Sequence, residues 1–390
     1  MKNNNSSERK NYYLSKKRPK PLQNDEKHHN FQDTSILYSN NPNPNFYKRY
    51  KLLIEYTYKC DKSDIIYIQS KNNNSLESAL VVPHCSQNKI FIVPLIKEKG
   101  KIIGDRNKIK TIKGEGVQIT YVKYLYNENN KKNYLMVGDR LKNYEADGYH
   151  YKIIDILTIY EIKSLDDINP LFVIKINDFV TSEIMINDKI FLSYFNKEHY
   201  YSKKRNYFIG CFDLNGNLIN QIAKKSNIIN KLLSFNNEEL IVLSKKQIIF
   251  YNINIFKKAK KTIKILNECK NGCVVDHYLC VAEEKEIAIY DLLNKELFQL
   301  INNNFQYNNR YIGSIIPWGN NFVIFSDSHE DVVKVYDIRC KKVVCTYPGF
   351  STIVFYKFFD NMHNENLLLV NGGREMYVWE NSPSFIINIK

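Results

Sequence analysis

One pair of residues recurs along this chain and limits its possible folds more than any other feature. In each copy an aromatic residue ends an apolar, β-rich run and is followed directly by Asp, Asn or Glu. The pairs are Tyr160-Glu161, Phe212-Asp213, Tyr251-Asn252, Tyr290-Asp291, Tyr336-Asp337 and Trp379-Glu380. Successive aromatic residues are 52, 39, 39, 46 and 43 residues apart. This spacing indicates a structural unit of about 40–45 residues that is repeated along the chain.

The stretches around these pairs have the composition of β-strands. Runs rich in Ile, Val, Leu and Tyr, such as DIIYIQ from residue 64 and KIFIVPLI from residue 89, are separated by clusters of Asn, Asp, Gly and Lys. This alternation of apolar runs and turn residues is typical of strands joined by short turns. No long stretch has the periodicity of an amphipathic helix. The sequence therefore predicts an all-β chain, folded as a sandwich, a barrel or a propeller, and the repeat favours the propeller.

From about residue 60 onward the sequence resembles the WD-repeat β-propeller family. The clearest copy is SDSHEDVVKVYDIR at residues 326–339, which is similar to the family pattern Ser-Gly-Ser-x-Asp-Gly-x-Val-Lys-Val-Trp-Asp. The resemblance implies that Asp331 accepts hydrogen bonds in the turn between the second and third strands. It also implies that Tyr336 and Trp379, each placed before an acidic residue such as Asp337, pack between neighbouring blades. The opening Gly-His dipeptide of a standard repeat is missing, and only one of the six aromatic residues is Trp, so no subfamily is indicated.

Counting the repeats predicts a seven-bladed WD-repeat-like β-propeller over residues 49–390. The predicted blades span about 65–113, 117–177, 179–223, 229–266, 272–301, 311–347 and 351–390. An apolar strand at 50–58 precedes the first blade and is available to complete the last one, which removes an open seam. In the alternative arrangement, Phe385-Ile386-Ile387 is the outermost strand and residues 51–58 pack beside it.

Residues 1–48 form a polar, proline-containing segment that we expect to be a disordered basic tail. Its start has no apolar run of signal-peptide length, so we expect a reducing compartment for the eight cysteines. Lys16, Lys17, Arg18 and Lys20 fit the short basic pattern of a nuclear import signal. The prediction is a nuclear protein, with a cytoplasmic location and a merely solvated tail as the alternative.

The net charge of +15 is compatible with nucleic-acid binding. Only nine of the 56 basic residues are arginine, however, and abundant Lys, Asn, Ile and Tyr also fit AT-rich coding. In a propeller, the turns between third and fourth strands emerge on one face, and several of these turns are basic. The predicted partner or nucleic-acid face comprises Lys97, Lys99, Lys101, Lys257, Lys258, Lys260, Lys261, Lys295, Arg339, Lys341 and Lys342. The alternative is that turns are simply where lysines are tolerated.

No motif marks a catalytic, cofactor or metal site. A nucleophile elbow, a Walker loop, a His-Glu-x-x-His helix and an EF-hand loop are absent from the sequence. Cys269, Cys273 and Cys280, with His277 between them, are the one cysteine cluster, but Cys273 and Cys280 lie in strand-like runs where free thiols pack as small apolar residues. Gly114-Glu115-Gly116 lacks the third glycine of a dinucleotide site. We therefore expect no enzyme, no cofactor and no small-molecule substrate, and the absence of a long apolar run predicts no membrane span.

These observations together predict a non-enzymatic scaffold in a multi-subunit protein or ribonucleoprotein assembly, with other proteins as partners. Two alternatives stay open. The first is an RNA- or DNA-binding propeller that uses the basic turns. The second follows from Tyr336-Asp337-Ile338-Arg339, which resembles the element by which propellers dock as substrate receptors on cullin-4 ubiquitin ligases.

Overall fold

The computed structural model describes residues 47–51, 64–69, 76–84, 88–98, 101–116, 118–127, 129–144, 151–195, 206–225, 228–265, 267–283, 286–302, 312–318, 321–327, 332–348, 352–359, 364–371 and 376–381. The chain divides into two units, Met1–Asn41 and Pro42–Lys390, and every described residue belongs to the second. The predicted import residues Lys16, Lys17, Arg18 and Lys20, the turn residue Asp331 and the alternative strand at 385–387 lie outside the described residues.

The described residues form strands arranged in seven antiparallel sheets, numbered here in chain order. Strand β1 (Tyr47–Lys51) belongs to the last of them. Sheet 1 contains β2 (Asp64–Gln69), β3 (Leu76–His84), β4 (Lys89–Glu98), β5 (Lys101–Gly104) and β6 (Lys110–Lys113). Sheet 2 contains β7 (Gln118–Asn127), β8 (Lys132–Tyr144), β9 (Tyr151–Ser164) and β10 (Asp167–Ile176). Sheet 3 contains β11 (Phe179–Ile186), β12 (Lys189–Phe195), β13 (Asn206–Phe212) and β14 (Leu218–Lys225).

The remaining sheets follow the same plan. Sheet 4 contains β15 (Ile229–Phe235), β16 (Glu239–Ser244), β17 (Gln247–Asn252) and β18 (Lys261–Lys264). Sheet 5 contains β19 (Cys269–Val275), β20 (Tyr278–Glu283), β21 (Glu286–Asp291) and β22 (Glu296–Asn302). Sheet 6 contains β23 (Ile312–Trp318), β24 (Phe322–Asp327), β25 (Val332–Asp337) and β26 (Lys342–Pro348). Sheet 7 contains β27 (Thr352–Phe359), β28 (Asn364–Asn371), β29 (Met376–Asn381) and, beside β29, β1.

The prediction of an all-β chain is confirmed. The helical structure in the described residues is a single 3-10 turn at Arg106–Lys108, capped by Asp105, which interrupts the outer part of sheet 1 between β5 and β6. Within the described residues, no helix has the length and apolar character needed to cross a membrane.

The apolar cores lie between consecutive sheets. In β16, Leu240 and Val242 pack in the core shared with sheet 3, whereas Ile241 and Leu243 pack in the core shared with sheet 5. This division follows from strand geometry, because successive side chains point to opposite faces. Sheet 4 is consequently buried on both faces, and its strand β16 is buried along its whole length.

The aromatic residue of each repeated pair lies in the third strand of its sheet. Its side chain packs in the core shared with the preceding sheet, where it supplies a large buried apolar area. This holds for Tyr160, Phe212, Tyr251, Tyr290 and Tyr336. Trp379 is placed equivalently in β29, opposite Arg49 and Leu368, and its side chain lies outside the described residues.

The first strands of successive sheets contact one another. The contacts run from β7 to β11, β15, β19, β23 and β27, and both β2 and β3 lie against β7 and β27. Several first strands carry a bulge near their start, as at Thr120, Thr181 and Asn230. The bulges accompany polar links between sheets: the Leu232 backbone N–H donates to Ser182 Oγ at 3.0 Å. These bulges have no signal in the sequence.

Candidate interaction surface

In sheets 3 to 6 the acidic or amide residue of the repeated pair shapes the turn that follows the third strand, whereas Glu161 of sheet 2 lies within β9 and pairs with Lys132. Asp337 Oδ1 accepts hydrogen bonds from the backbone N–H groups of Arg339 at 2.8 Å and Cys340 at 3.3 Å. Asp291 Oδ1 accepts from Leu293 N at 2.8 Å in the same way. In equivalent bonds, Asn252 Oδ1 accepts from the backbone N–H of Asn254, and Asp213 Oδ1 accepts from that of Asn215. Asp and Asn are suited to this role because their short side chains reach the backbone two residues later.

These turns lie at the same edge of each sheet as the turn between the first and second strands. The N–H groups of Ile253, Leu292 and Ile338 donate to the carbonyls of Glu238, His277 and Asn321, at 2.9, 2.8 and 2.9 Å. We call this region of sheets 4, 5 and 6 the turn edge. It comprises residues 236–239, 253–261, 276–277, 292–298, 321 and 338–343.

Two of the predicted basic residues, Lys261 and Lys295, join sheet 4 to sheet 5 at the turn edge, and a third, Lys260, pairs within sheet 4. Lys260 Nζ lies 3.0 Å from the carboxylate of Glu239, and Lys295 pairs with the same buried carboxylate from the neighbouring sheet. Lys261 Nζ donates to the carbonyl of Lys295 at 3.0 Å. Lys295 also lies over the Phe250 ring, 4.6 Å from its centroid. Glu239 partly neutralises the charges of Lys260 and Lys295, whereas Lys261 keeps its full charge because it donates to neutral carbonyl groups.

The other basic residues of sheets 4 and 6 are exposed at the turn edge. Lys257 and Lys258 make no ion pair with a described residue. The Arg339 guanidinium pairs with Asp337 at 3.0 Å and lies over Phe322. Lys341 Nζ lies 4.8 Å from the centroid of the Phe298 ring, which belongs to sheet 5, and Lys342 starts β26. The predicted basic residues of sheets 4, 5 and 6 thus lie at the turn edge.

For the predicted basic residues of sheet 1, the structure describes only part of the backbone and no side chain. Lys97 pairs with Ile102 across the β4–β5 hairpin, and Glu98 pairs with Lys101. The side chains of Lys97 and Lys101 and the whole of Lys99 lie outside the described residues.

Exposed apolar residues accompany the lysines, and the sequence analysis missed them. Ile255 and Leu293, each in a turn after a third strand, are 70% and 65% exposed. Leu297 and Phe298 in β22 and Val343 in β26 are also exposed. Each resembles an ordinary strand or turn residue in the sequence, because its exposure depends on which strand is outermost. A surface that combines apolar groups with ammonium groups is suited to binding protein.

Burial changes the pKa of two ionisable side chains away from the turn edge, Lys231 and Glu283. Lys231, in the first strand of sheet 4, donates to Asn271 Oδ1 at 2.7 Å, and burial lowers the pKa of its ammonium to about 8. Burial raises the pKa of the Glu283 carboxyl to about 7, with the nearby Glu286 charge adding to the shift. The charge of Lys123 adds to the lowering of the Lys231 pKa, and hydrogen bonds from Asn267 and Tyr290 to Glu283 partly offset the rise in the Glu283 pKa.

The cysteine cluster of the sequence lies inside the cores. Cys273 and Cys280 are opposite each other on β19 and β20, and both are buried. Burial raises the pKa of the Cys269 thiol to about 12, which keeps it protonated and a poor metal ligand or nucleophile. Among the described residues, no group of three or more His, Cys, Asp and Glu side chains is arranged to hold a metal ion.

No model of a known protein family matches the chain, and a search of curated proteins finds no significant match.

Proposed function

We propose that the seven sheets are the blades of one WD-repeat-like β-propeller and that the chain is a non-enzymatic protein-interaction scaffold. The closed arrangement is supported by the cores shared between consecutive sheets. It is also supported by the contacts of β27 with β2 and β3, which link the last sheet to the first. Strand β1 then fastens the two ends of the ring by pairing with β29.

The scaffold role rests on one observation: exposed apolar side chains and exposed ammonium groups share the turn edge. Ile255 and Leu293 project from adjacent turns whose sheets are joined through Glu239. Because the turns are anchored by hydrogen bonds, a partner would meet a preformed surface and lose little conformational entropy in ordering it. Interface cores are built from apolar side chains in such positions, with charged residues at their rims.

The proposal is tested by recovering the tagged chain with its partners from cells and identifying them by mass spectrometry. The double variant Ile255→Asp/Leu293→Asp should lose a defined set of partners, because two charges would replace the apolar centre of the surface. The matched control Leu171→Asp changes an exposed apolar residue of sheet 2 and should retain them. Identical partner sets for all three proteins would contradict the proposal.

Nucleic-acid binding is the second candidate, favoured by the exposed Lys257 and Lys258. It predicts affinity for generic RNA or DNA that falls steeply with salt. Lys257→Glu/Lys258→Glu should weaken that binding, whereas Lys113→Glu/Lys163→Glu, which changes two exposed lysines of sheets 1 and 2, should not. No binding at low salt would remove this candidate.

We further propose that the protein acts in the nucleus and that Lys16, Lys17, Arg18 and Lys20 direct its import. A fluorescent fusion should concentrate in the nucleus, and alanine at these four positions should leave it evenly distributed. Nuclear accumulation of the alanine variant would contradict the assignment.

A further inference from the structure

Each sheet ends in an outermost strand that pairs on only one side within the described residues. These strands are β5 and β6 in sheet 1, then β10, β14, β18, β22, β26, and β1 in sheet 7. An outermost strand offers unpaired backbone N–H and C=O groups to any extended chain that approaches it. Proteins discourage such pairing with Lys or other charged side chains and with Pro.

Strand β22 has the weakest protection, because its one charged side chain is Glu296 at its first position. Its sequence, ELFQLIN, contains no Lys, Arg or Pro. Each of the other outermost strands described contains at least one of these residues, as in KTIK of β18, LINQIAKK of β14 and KVVCTYP of β26. In β22, Leu297, Phe298 and Leu300 are instead 49%, 39% and 44% exposed. The described strand least protected against pairing is therefore also an exposed apolar one.

Ammonium groups from both neighbouring sheets flank β22. On the sheet 4 side, Lys261 Nζ lies 3.0 Å from the carbonyl oxygen of Lys295, the residue directly before the strand. On the sheet 6 side, Lys341 Nζ lies 4.8 Å from the centroid of the Phe298 ring. Within β22 itself Glu296 is the one acidic residue. The charge around this edge is complementary to an acidic ligand.

We propose that β22 binds an extended segment of a partner protein, in which acidic and apolar residues alternate, as an added strand of sheet 5. Backbone hydrogen bonds to β22 supply affinity, and its exposed leucines with the flanking lysines select the side chains. A second copy of this chain is a poorer occupant, because two copies meeting at β22 would bring Lys261 and Lys341 of both together. This inference rests on the proposed scaffold function and names the partner's chemistry.

The test uses the full chain and a synthetic peptide of alternating Glu and Val residues, with binding followed by fluorescence anisotropy. The same peptide N-methylated at alternate amides cannot form a strand ladder along that side and should bind at least tenfold more weakly. Hydrogen exchange of the backbone amides at 296–302 should slow when the unmodified peptide binds, while that of β10 stays unchanged. Equal binding of the two peptides, or unchanged exchange at 296–302, would overturn the proposal.

Two variants test the side chains. Leu300→Glu removes an exposed apolar group and adds a like charge, and Lys341→Glu reverses a flanking charge; each should weaken binding about tenfold. Their controls, Val173→Glu in β10 and Lys113→Glu in sheet 1, make the same changes at other exposed sites and should bind normally. Self-association in sedimentation that Leu300→Glu abolishes would assign the edge to a second copy and overturn the proposal.

The scaffold proposal can fail separately. If Ile255→Asp/Leu293→Asp loses cellular partners but the peptide does not protect residues 296–302, the strand-addition inference alone is wrong. If all partners are retained by that double variant, the scaffold proposal itself is wrong.

Discussion

The carboxylate of Asp337 accepts three hydrogen bonds from Arg339: Oδ1 accepts from the backbone N–H at 2.8 Å and from Nε at 3.3 Å, and Oδ2 accepts from Nη2 of the guanidinium at 3.0 Å. Asp337 is fully buried, whereas the Arg339 side chain is partly exposed. The acidic residue of the repeated pair therefore fixes both the turn and the arginine that follows. A partner that contacts Arg339 would therefore meet a guanidinium whose position Asp337 already fixes.

Replacing Asp337 should destabilise the protein markedly. Asp337→Ala removes the acceptor of two turn N–H groups and the ion-pair partner of the Arg339 guanidinium, and we expect the free energy of unfolding in urea to fall by about 2–4 kcal/mol. The control Asp213→Ala removes the equivalent but solvent-exposed turn acceptor of sheet 3 and should cost less. Equal losses for the two variants would show that burial of Asp337 adds nothing.

The two lysines that share Glu239 should differ in their effect on stability. The Lys295 side chain is 13% exposed and that of Lys260 is 61% exposed. Lys295→Met should cost about 2–4 kcal/mol, because a buried carboxylate loses a buried partner, whereas Lys260→Met should cost at most about 1 kcal/mol. The Lys260→Met effect should also shrink in 1 M salt. A larger loss from Lys260→Met would reverse this assignment.

Local signals in the sequence suffice for part of this fold. Alternating apolar residues and turn residues identify strands, and an acid after an aromatic residue marks the turn after a third strand, as at Asp291 and Asp337. The division into closed blades stays a prediction. The shared carboxylate of Glu239, the bulge at Asn230 and the exposure of Leu293 depend on how neighbouring sheets pack, and no local pattern encodes that packing.

Glu283 should make stability depend on pH. Burial raises its folded-state pKa to about 7, above the ordinary value of 4.5, so the folded protein holds the proton more tightly than the unfolded chain. The contribution of Glu283 to stability is therefore present at low pH and is lost as the pH rises from about 4.5 to 7, by about 3 kcal/mol. Glu283→Gln should flatten this part of the profile measured by urea unfolding. A variant profile with the same slope would contradict the assignment.

Gly116 should tolerate no side chain. A Cβ there would lie 2.5 Å from Asp139 Oδ1, and Asp139 is buried and accepts hydrogen bonds from Gln118 N and Arg140 N. Gly116→Ala should therefore displace Asp139 and lower the melting temperature by several degrees, corresponding to about 2 kcal/mol. Glu115→Ala, at the exposed neighbouring position, should change stability by less than about 0.5 kcal/mol. A similar melting temperature for Gly116→Ala and the unmodified protein would show that the loop can move aside.

Closure of the seven sheets into a ring is the central claim, and a cross-link between β1 and β29 tests it most directly. Lys48 and Glu380 are opposite each other in this antiparallel pair. Their Cα atoms are therefore expected about 4.5–5.5 Å apart, within reach of a disulfide bond. Leu367, opposite Glu380 on β28, is two strands from Lys48 and supplies a control pair out of reach.

The double variant Lys48→Cys/Glu380→Cys should form an internal disulfide bond on oxidation, identified by mass spectrometry of the peptides that contain positions 48 and 380. The control Lys48→Cys/Leu367→Cys should remain reduced at these positions. A closed ring predicts the first bond in nearly all molecules and a higher melting temperature once it forms. Absence of the 48–380 bond, or equal cross-linking of both pairs, would contradict the closed propeller and the interaction surface inferred from it.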